Sequence, residues 1–182
     1  MSREKLLSSK TIFEGRAVKL IQSTVEKSKG EVVVREIVQH RDAIAAVVPD
    51  GRGNVLMVRQ FRVPTGKDLL EIPAGVMEDG ESPDECVKRE LQEEIGCLPR
   101  RIARLGGFYP APGYCTEFIH VFLAAELEES RLVAEDTDEI EVVKVPIKDI
   151  AGMIDRGEIC DAKSIAGLLK YLSMTPVDQA NL

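Results

Sequence analysis

Three glutamates, Glu90, Glu93 and Glu94, fall within five consecutive positions of a segment whose apolar spacing is helical. On a helix of 3.6 residues per turn, positions i, i+3 and i+4 share one stripe, so the three carboxylates crowd together. Val87, Leu91 and Ile95 follow i, i+4, i+8 and form an apolar stripe beside them. The glutamates should therefore stand at the edge of a core. Lys88 and Arg89 lie close by, but from their positions they do not separate the three acids. Two chemistries suit such a stripe. It is either a solvated acidic face or a set of oxygen ligands for a hard divalent cation, which would remove the mutual repulsion.

The element that carries these residues is well specified. Ser82 is the expected N-cap, Pro83 falls at the first helical position and Glu85 falls at N3, which together make a capping box with its favoured proline. Gly96 occupies the position at which a helix closes in the left-handed conformation. Upstream, Val18–Gln22 and Glu31–Val38 read as strands around a Lys29-Gly30 turn, Ala43–Phe61 as a β-hairpin, and Leu69–Ile72 as a short strand stopped by Pro73-Ala74-Gly75. Downstream, Ile102–Tyr109, Glu117–Leu127 and Ile140–Val145 read as strands. Ile147–Arg156 and Asp161–Ser173 read as helices.

Composition narrows the function classes. The chain has 182 residues, near the size of one domain, with 44% hydrophobic and 30% charged residues, which excludes a disordered or fibrous chain. The formal net charge is −7, which disfavours a nucleic-acid partner. Half of the 31 acids lie in two windows, Glu78–Glu94 and Glu126–Glu141. No apolar run is long enough to span a membrane, and Met1–Lys5 does not read as a secretion signal. Cys86, Cys97, Cys115 and Cys160 form no C-x-x-C pair, which suits free thiols and a cytoplasmic location.

From Gly75 to Cys97 the chain resembles the Nudix box, G-x5-E-x7-R-E-U-x-E-E-x-G-U, where U is aliphatic. Gly75, Glu81, Arg89, Glu90, Glu93, Glu94 and Gly96 fill all seven fixed positions, Leu91 fills the first U, and Cys97 replaces the second. By average residue usage, such a match arises by chance on the order of once in a million chains. The resemblance implies an α/β fold, a Nudix α/β/α sandwich with a mixed sheet, preceded by a small N-terminal β arm. It also implies a Mg²⁺ site (Mn²⁺ the alternative) that hydrolyses nucleoside diphosphates linked to another group. Glu90, Glu94 and the Ala74 carbonyl would be the metal ligands and Glu93 would assist. Glu81 and Arg89 would hold loop and helix in register.

Segments outside the box resemble the ADP-ribose pyrophosphatase branch. Val58-Arg59-Gln60-Phe61-Arg62 resembles the strand that brings an arginine, here Arg62, to the diphosphate. Leu70–Gly75 resembles the branch's E-x-P-A-G motif, with Glu71 beside the metals or a ribose. Pro112, fifteen positions after Cys97, and Glu117 match the loop that shapes the terminal-ribose pocket. In the second acidic window, the branch implies a catalytic base or an extra metal ligand, with the base expected at Glu139 and Asp138 and Glu135 as alternates. The segment Ile154–Ser164 resembles a late G-x-I-x-D-A-K-T/S motif with a structural role, Asp161 capping the last helix.

The implied organisation is an arm over residues 1–40, a catalytic domain over 41–175 and a loose tail over 176–182. The arm would make a homodimer, with Phe13 and Arg35 near the adenine. The implied reaction is Mg²⁺-dependent hydrolysis of ADP-ribose to AMP and ribose 5-phosphate. The alternatives are another nucleoside diphosphate sugar such as GDP-mannose, or a non-catalytic ADP-ribose sensor. No nucleic-acid or membrane partner is expected.

Overall fold

The computed structural model describes residues 4–134 and 139–175. In chain order its elements are β1 (Lys5–Glu14), β2 (Lys19–Glu26), β3 (Val32–Gln39), β4 (Ala43–Val47), β5 (Asn54–Arg62), β6 (Lys67–Glu71), β7 (Ala74–Val76), α1 (Pro83–Glu94), β8 (Cys97–Phe108), β9 (Ile119–Glu129), β10 (Glu141–Pro146), α2 (Ile147–Asp155) and α3 (Ala162–Leu172). They fall into two units. One runs to Asp42 and also takes in Tyr109–Phe118, and the other takes Ala43–Phe108 and the chain from Ile119 onward. Among the described residues, no helix is long and apolar enough to cross a membrane.

The first unit is an antiparallel sheet of order β1-β2-β3. Pro112 lies in a turn in which Ala111 O accepts from the amides of Tyr114 and Cys115, at 3.1 and 2.9 Å. The chain then runs parallel beside β3. Val38 N–H donates to Tyr114 O at 2.7 Å, and Thr116 N–H donates to Val38 O at 3.0 Å. Strand β1 is exposed along its whole length, with Leu6, Leu7, Ile12 and Phe13 all open to solvent.

The second unit is layered about β4, whose five residues are all buried. Successive side chains of a strand point to opposite faces. Ala43, Ala45 and Val47 accordingly join a core with Ile150 of α2 and Leu168 and Tyr171 of α3, while Ile44, Ala46 and Val48 join another with Cys86, Val87 and Leu91 of α1. The sheet thus carries helices on both faces, an α/β/α arrangement. It is mixed, because β4 runs parallel to β9 and antiparallel to β7, in the order β7-β4-β9-β8. A second sheet has the order β10-β5-β6.

Two sequence expectations need correction. Ala43–Phe61 is not a two-stranded hairpin. The chain reverses at Asp50–Asn54 and makes one isolated bridge, Pro49 to Val55, but β4 and β5 then enter different sheets. All of β4 and the Val55–Val58 stretch of β5 are buried on both faces, and each strand takes partners on either side rather than only each other. Pro73-Ala74-Gly75 does not simply stop the preceding strand either: Ala74–Val76 is itself a strand, paired with Ala43–Ala45. That pairing brings the backbone of the box's first glycine into the sheet.

Candidate active site

Helix α1 starts as its sequence dictates. Ser82 Oγ accepts from Glu85 N–H, and Ser82 N–H donates back to Glu85 Oε2 at 2.9 Å, so two orphan amides are satisfied reciprocally. Gly96 follows the helix at φ +69°, a conformation that an L side chain resists. With both ends set, burial of Cys86, Val87 and Leu91 fixes the helix rotation, and Glu90 and Glu94 are carried into the protein, each less than a tenth exposed.

There they meet strand β7. Glu94 Oε2 accepts the Ala74 N–H at 3.0 Å. At Gly75 the Glu90 carboxylate fills the space of a missing side chain, since a Cβ built there would lie 1.8 Å from Glu90 Cδ. This close approach is the physical reason for glycine at the first box position.

Arg89 ties the loop to the helix. Its Nε and Nη2 fork onto Glu81 at 2.8 and 2.9 Å, Nη2 also donates to Val76 O at 3.2 Å, and Nη1 donates to Glu90 Oε1 at 2.7 Å and Glu93 Oε2 at 3.1 Å. The sequence expectation that no cation separates the three glutamates is therefore wrong. Arg89 curls back along the helix and bridges two of them.

The carboxylates divide by electrostatics. The Arg89 guanidinium holds Glu81 down at about 2. Glu71 is almost fully buried, which opposes ionisation, yet Arg62 and Lys163 together hold its carboxyl below the ordinary value. Glu94 is the reverse case. Burial, with the negative charge of Glu90 adding to it, pushes its carboxyl up to about 8 against the opposing Ala74 hydrogen bond. Burial also raises Glu90, despite Arg89. One buried carboxylate has its cations, and the other lacks a sufficient positive charge.

A second cluster surrounds Glu71. Arg62 forks onto it, Nε to Oε1 at 2.9 Å and Nη2 to Oε2 at 2.8 Å, and Lys163 Nζ donates to Oε2. Lys163 also donates to Asp161 Oδ1 at 3.0 Å, and the same oxygen caps α3 by accepting Ser164 N–H. Ser164 Oγ in turn accepts Ile72 N–H at 2.8 Å, fastening α3 to the chain next to Glu71. Asp161 is thus the N-cap that the sequence suggests. Lys163 and Ser164 are functional residues that the sequence reading misses. Their only sequence signal is the D-A-K-S run itself, because their partners lie some ninety positions away.

The remaining candidates are placed as follows. Glu139 is exposed in a turn before β10, while Glu135 and Asp138 lie outside the described residues. Phe13, Arg35, Pro112 and Glu117 belong to the first unit. There Phe13 is exposed on β1, Arg35 on β3 pairs with Glu4, Pro112 is exposed, and Glu117 lies 3.6 Å from His40 Nδ1.

Among the described residues no three His, Cys, Asp or Glu side chains gather into a complete metal-ligand set. Two buried carboxylates beside a strand backbone, one of them short of positive charge, suit a cation that takes one or two carboxylates and keeps several waters for a phosphate to replace. The donor chemistry fits Mg²⁺ or a similar hard ion.

Known proteins resemble this chain in sequence and in fold. The NUDIX domain family matches residues 39–168. The chain is 38% identical over 180 residues to the ADP-ribose pyrophosphatase of Bacillus subtilis (strain 168), covering 97% of this chain and 96% of that protein. It is 42% identical over 129 residues to the GDP-mannose pyrophosphatase of Yersinia enterocolitica, covering 65% of this chain and 66% of that protein. A solved structure described as an ADP compounds hydrolase superposes with a TM-score of 0.86 at 22% identity, covering 93% of this chain and 92% of that one, a likeness of fold.

Proposed function

This chain belongs to the NUDIX family, and with that as premise we propose that it is a Mg²⁺-dependent pyrophosphohydrolase that cleaves ADP-ribose to AMP and ribose 5-phosphate. The observation that carries the reading is the pair of buried carboxylates, Glu90 and Glu94, seated against the Ala74–Gly75 backbone with Glu94 short of a compensating cation. Glu90, Glu94 and the Ala74 carbonyl are assigned as the residues that hold Mg²⁺, with Mn²⁺ as the alternative ion. When bound there, the cation neutralises charge on the diphosphate and lowers the pKa of a water.

The chain's own residues do the rest. Arg62 presents Nη1, which lies outside its fork onto Glu71, as a donor to a phosphate oxygen. Glu139 is proposed to take the proton of the attacking water, with Glu135 and Asp138 as its alternates. Glu93 shares Arg89 with Glu90, so it adjusts the charge and position of a ligand. The fork of Arg89 onto Glu81 holds the loop that begins at Gly75 against the helix. Pro112 and Glu117 are assigned to the terminal ribose, and Phe13 and Arg35 to the adenine. The exposed apolar strand β1 supports a homodimer formed by the arm over residues 1–40, with the catalytic domain over 41–175 and residues 176–182 as a tail. A cytoplasmic location goes with the four free cysteines.

GDP-mannose is the second reading, supported by similarity to a GDP-mannose pyrophosphatase. One experiment separates them: turnover with Mg²⁺ of ADP-ribose, GDP-mannose and other nucleotide sugars, with AMP and ribose 5-phosphate followed directly. Preference for ADP-ribose, lost with chelator, is expected. Preference for GDP-mannose would keep the metal chemistry and reject the ribose assignment of Pro112. Binding of ADP-ribose without turnover of any substrate would make the protein a sensor.

A further inference from the structure

We propose that Lys163 is a positioning residue for substrate binding, keeping the Arg62 guanidinium available to the diphosphate by sharing the charge of Glu71. This rests on the reading of the site given above. The arrangement is a set of four charges, with Glu71 and Asp161 negative and Arg62 and Lys163 positive. Glu71 is the centre. It accepts both arms of the Arg62 fork and, on Oε2, the Lys163 ammonium. Lys163 is mostly buried and spans Glu71 and Asp161, whose Oδ1 it shares with the first turn of α3.

The charge balance gives Lys163 its role. Glu71 alone would neutralise Arg62, and a neutralised fork attracts a phosphate weakly. A second cation on the same carboxylate draws on its negative charge, so with Asp161 the four groups sum to zero, and Arg62 meets the diphosphate through Nη1, the edge its fork leaves open. Remove the lysine charge and the set becomes −1 next to Glu90 and Glu94. A diphosphate would then approach an Arg62 whose single positive charge stands against the negative charges of Glu71 and Asp161. Glu71 and Lys163 are largely buried, so solvent screens the loss of their pairing only weakly. The interaction is present with substrate and transition state alike, so it belongs in KM rather than in kcat.

The geometry also explains why a lysine on the last helix reaches a carboxylate on β6. Ser164 Oγ takes the Ile72 amide at 2.8 Å, and that bond sets the α3 N-terminus one residue from Glu71. The D-A-K-S run is therefore more than a cap. Asp161 and Ser164 build the turn and Lys163 delivers a charge from it.

The test is steady-state kinetics on the full chain with ADP-ribose and Mg²⁺, comparing wild type with Lys163→Met, Lys163→Gln and Lys163→Arg, with thermal midpoints measured alongside. Gln keeps a hydrogen-bond donor without the charge, on a shorter side chain, so it serves as a second neutral variant if Met disturbs folding. The expected result is a KM raised on the order of tenfold in Met and Gln, with kcat within about threefold, and most of the KM recovered in Arg. An unchanged KM in both neutral variants, a loss confined to kcat, or no recovery with Arg would overturn the proposal. If the wild type hydrolyses no diphosphate sugar, the functional reading fails separately. Lys163 is then judged by calorimetric binding of ADP-ribose with Mg²⁺. Weakening on the order of tenfold in Lys163→Gln supports it. Unaltered affinity, or no binding by the wild type, rejects it.

Discussion

Replacing Gly75 by Ala tests the site with a single methyl group. Gly75 does not need the left-handed conformation, so alanine fits the backbone there. The new Cβ would lie 1.8 Å from Glu90 Cδ, and 2.0 and 2.3 Å from its two oxygens. To restore ordinary contact at 3.4 Å the carboxyl carbon must retreat by about 1.6 Å. The obstructed atoms are the far end of a side chain, so the helix and strand need not move. Losing the Arg89–Glu90 hydrogen bond costs roughly 1 kcal/mol, and the lower backbone entropy of unfolded alanine returns about 0.4–1 kcal/mol. The expected outcome is a thermal midpoint within a few degrees of wild type. Turnover is a different matter, since a misplacement of about 1 Å at a reacting centre costs on the order of 10²-fold. The assay pairs calorimetric unfolding with kcat for ADP-ribose under saturating Mg²⁺. A folded Gly75→Ala protein that keeps wild-type kcat would refute the role of the Glu90 carboxylate at this position. A protein that fails to fold would show that the contact is not confined to the carboxylate end.

Three other substitutions test separate parts of the argument. Glu94→Gln should lower kcat by at least about 10²-fold while leaving the thermal midpoint equal or higher, because an amide carries no buried charge and still accepts the Ala74 N–H. Retained turnover in that variant would remove Glu94 from the metal site. Glu81→Gln addresses the Arg89 fork. Glu81 has its folded pKa depressed to about 2, so its contribution is fully present above the ordinary carboxylate value and is lost as pH falls through about 2. After allowance for solvent screening the contribution is about 1–2 kcal/mol. Urea unfolding should show that gap at pH 7, shrinking as pH drops from about 4.5 toward 2, and a gap independent of pH would mean that the pair is held by packing. Ser82→Ala removes the helix cap. It should cost about 1 kcal/mol in urea unfolding without changing KM, and a change of KM with unaltered stability would place Ser82 in the site.

Local chemistry made much of this protein legible. Helix α1 could be bounded from Ser82, Pro83, Glu85 and Gly96 because caps and left-handed closures are decided within a few residues. The apolar period of Val87, Leu91 and Ile95 gave the buried face, and the acids next to it landed at the core edge as their spacing implies. The same locality explains the readable α3 cap at Asp161.

What stayed hidden has a common cause. Residues 43–61 suggest a hairpin because two apolar strands flank a glycine turn, but a strand buried on both faces carries no local sign of which strand it joins. The pairing of Arg89 with Glu81 is implied by the resemblance to the Nudix box, but that the same guanidinium also bridges Glu90 and Glu93 depends on where the folded Gly75–Glu81 loop holds it. Glu71 offered no hint that it would be the buried centre of a four-charge set. Arg62 lies nine positions before it and Lys163 ninety-two after it, and no period or spacing in a sequence encodes a meeting at that separation. Residue types and their spacing thus specified the chemistry available, a stripe of carboxylates on a capped helix. Tertiary structure alone decided which carboxylate has its cations and which does not, because that depends on charges brought together by the sheet and the last helix.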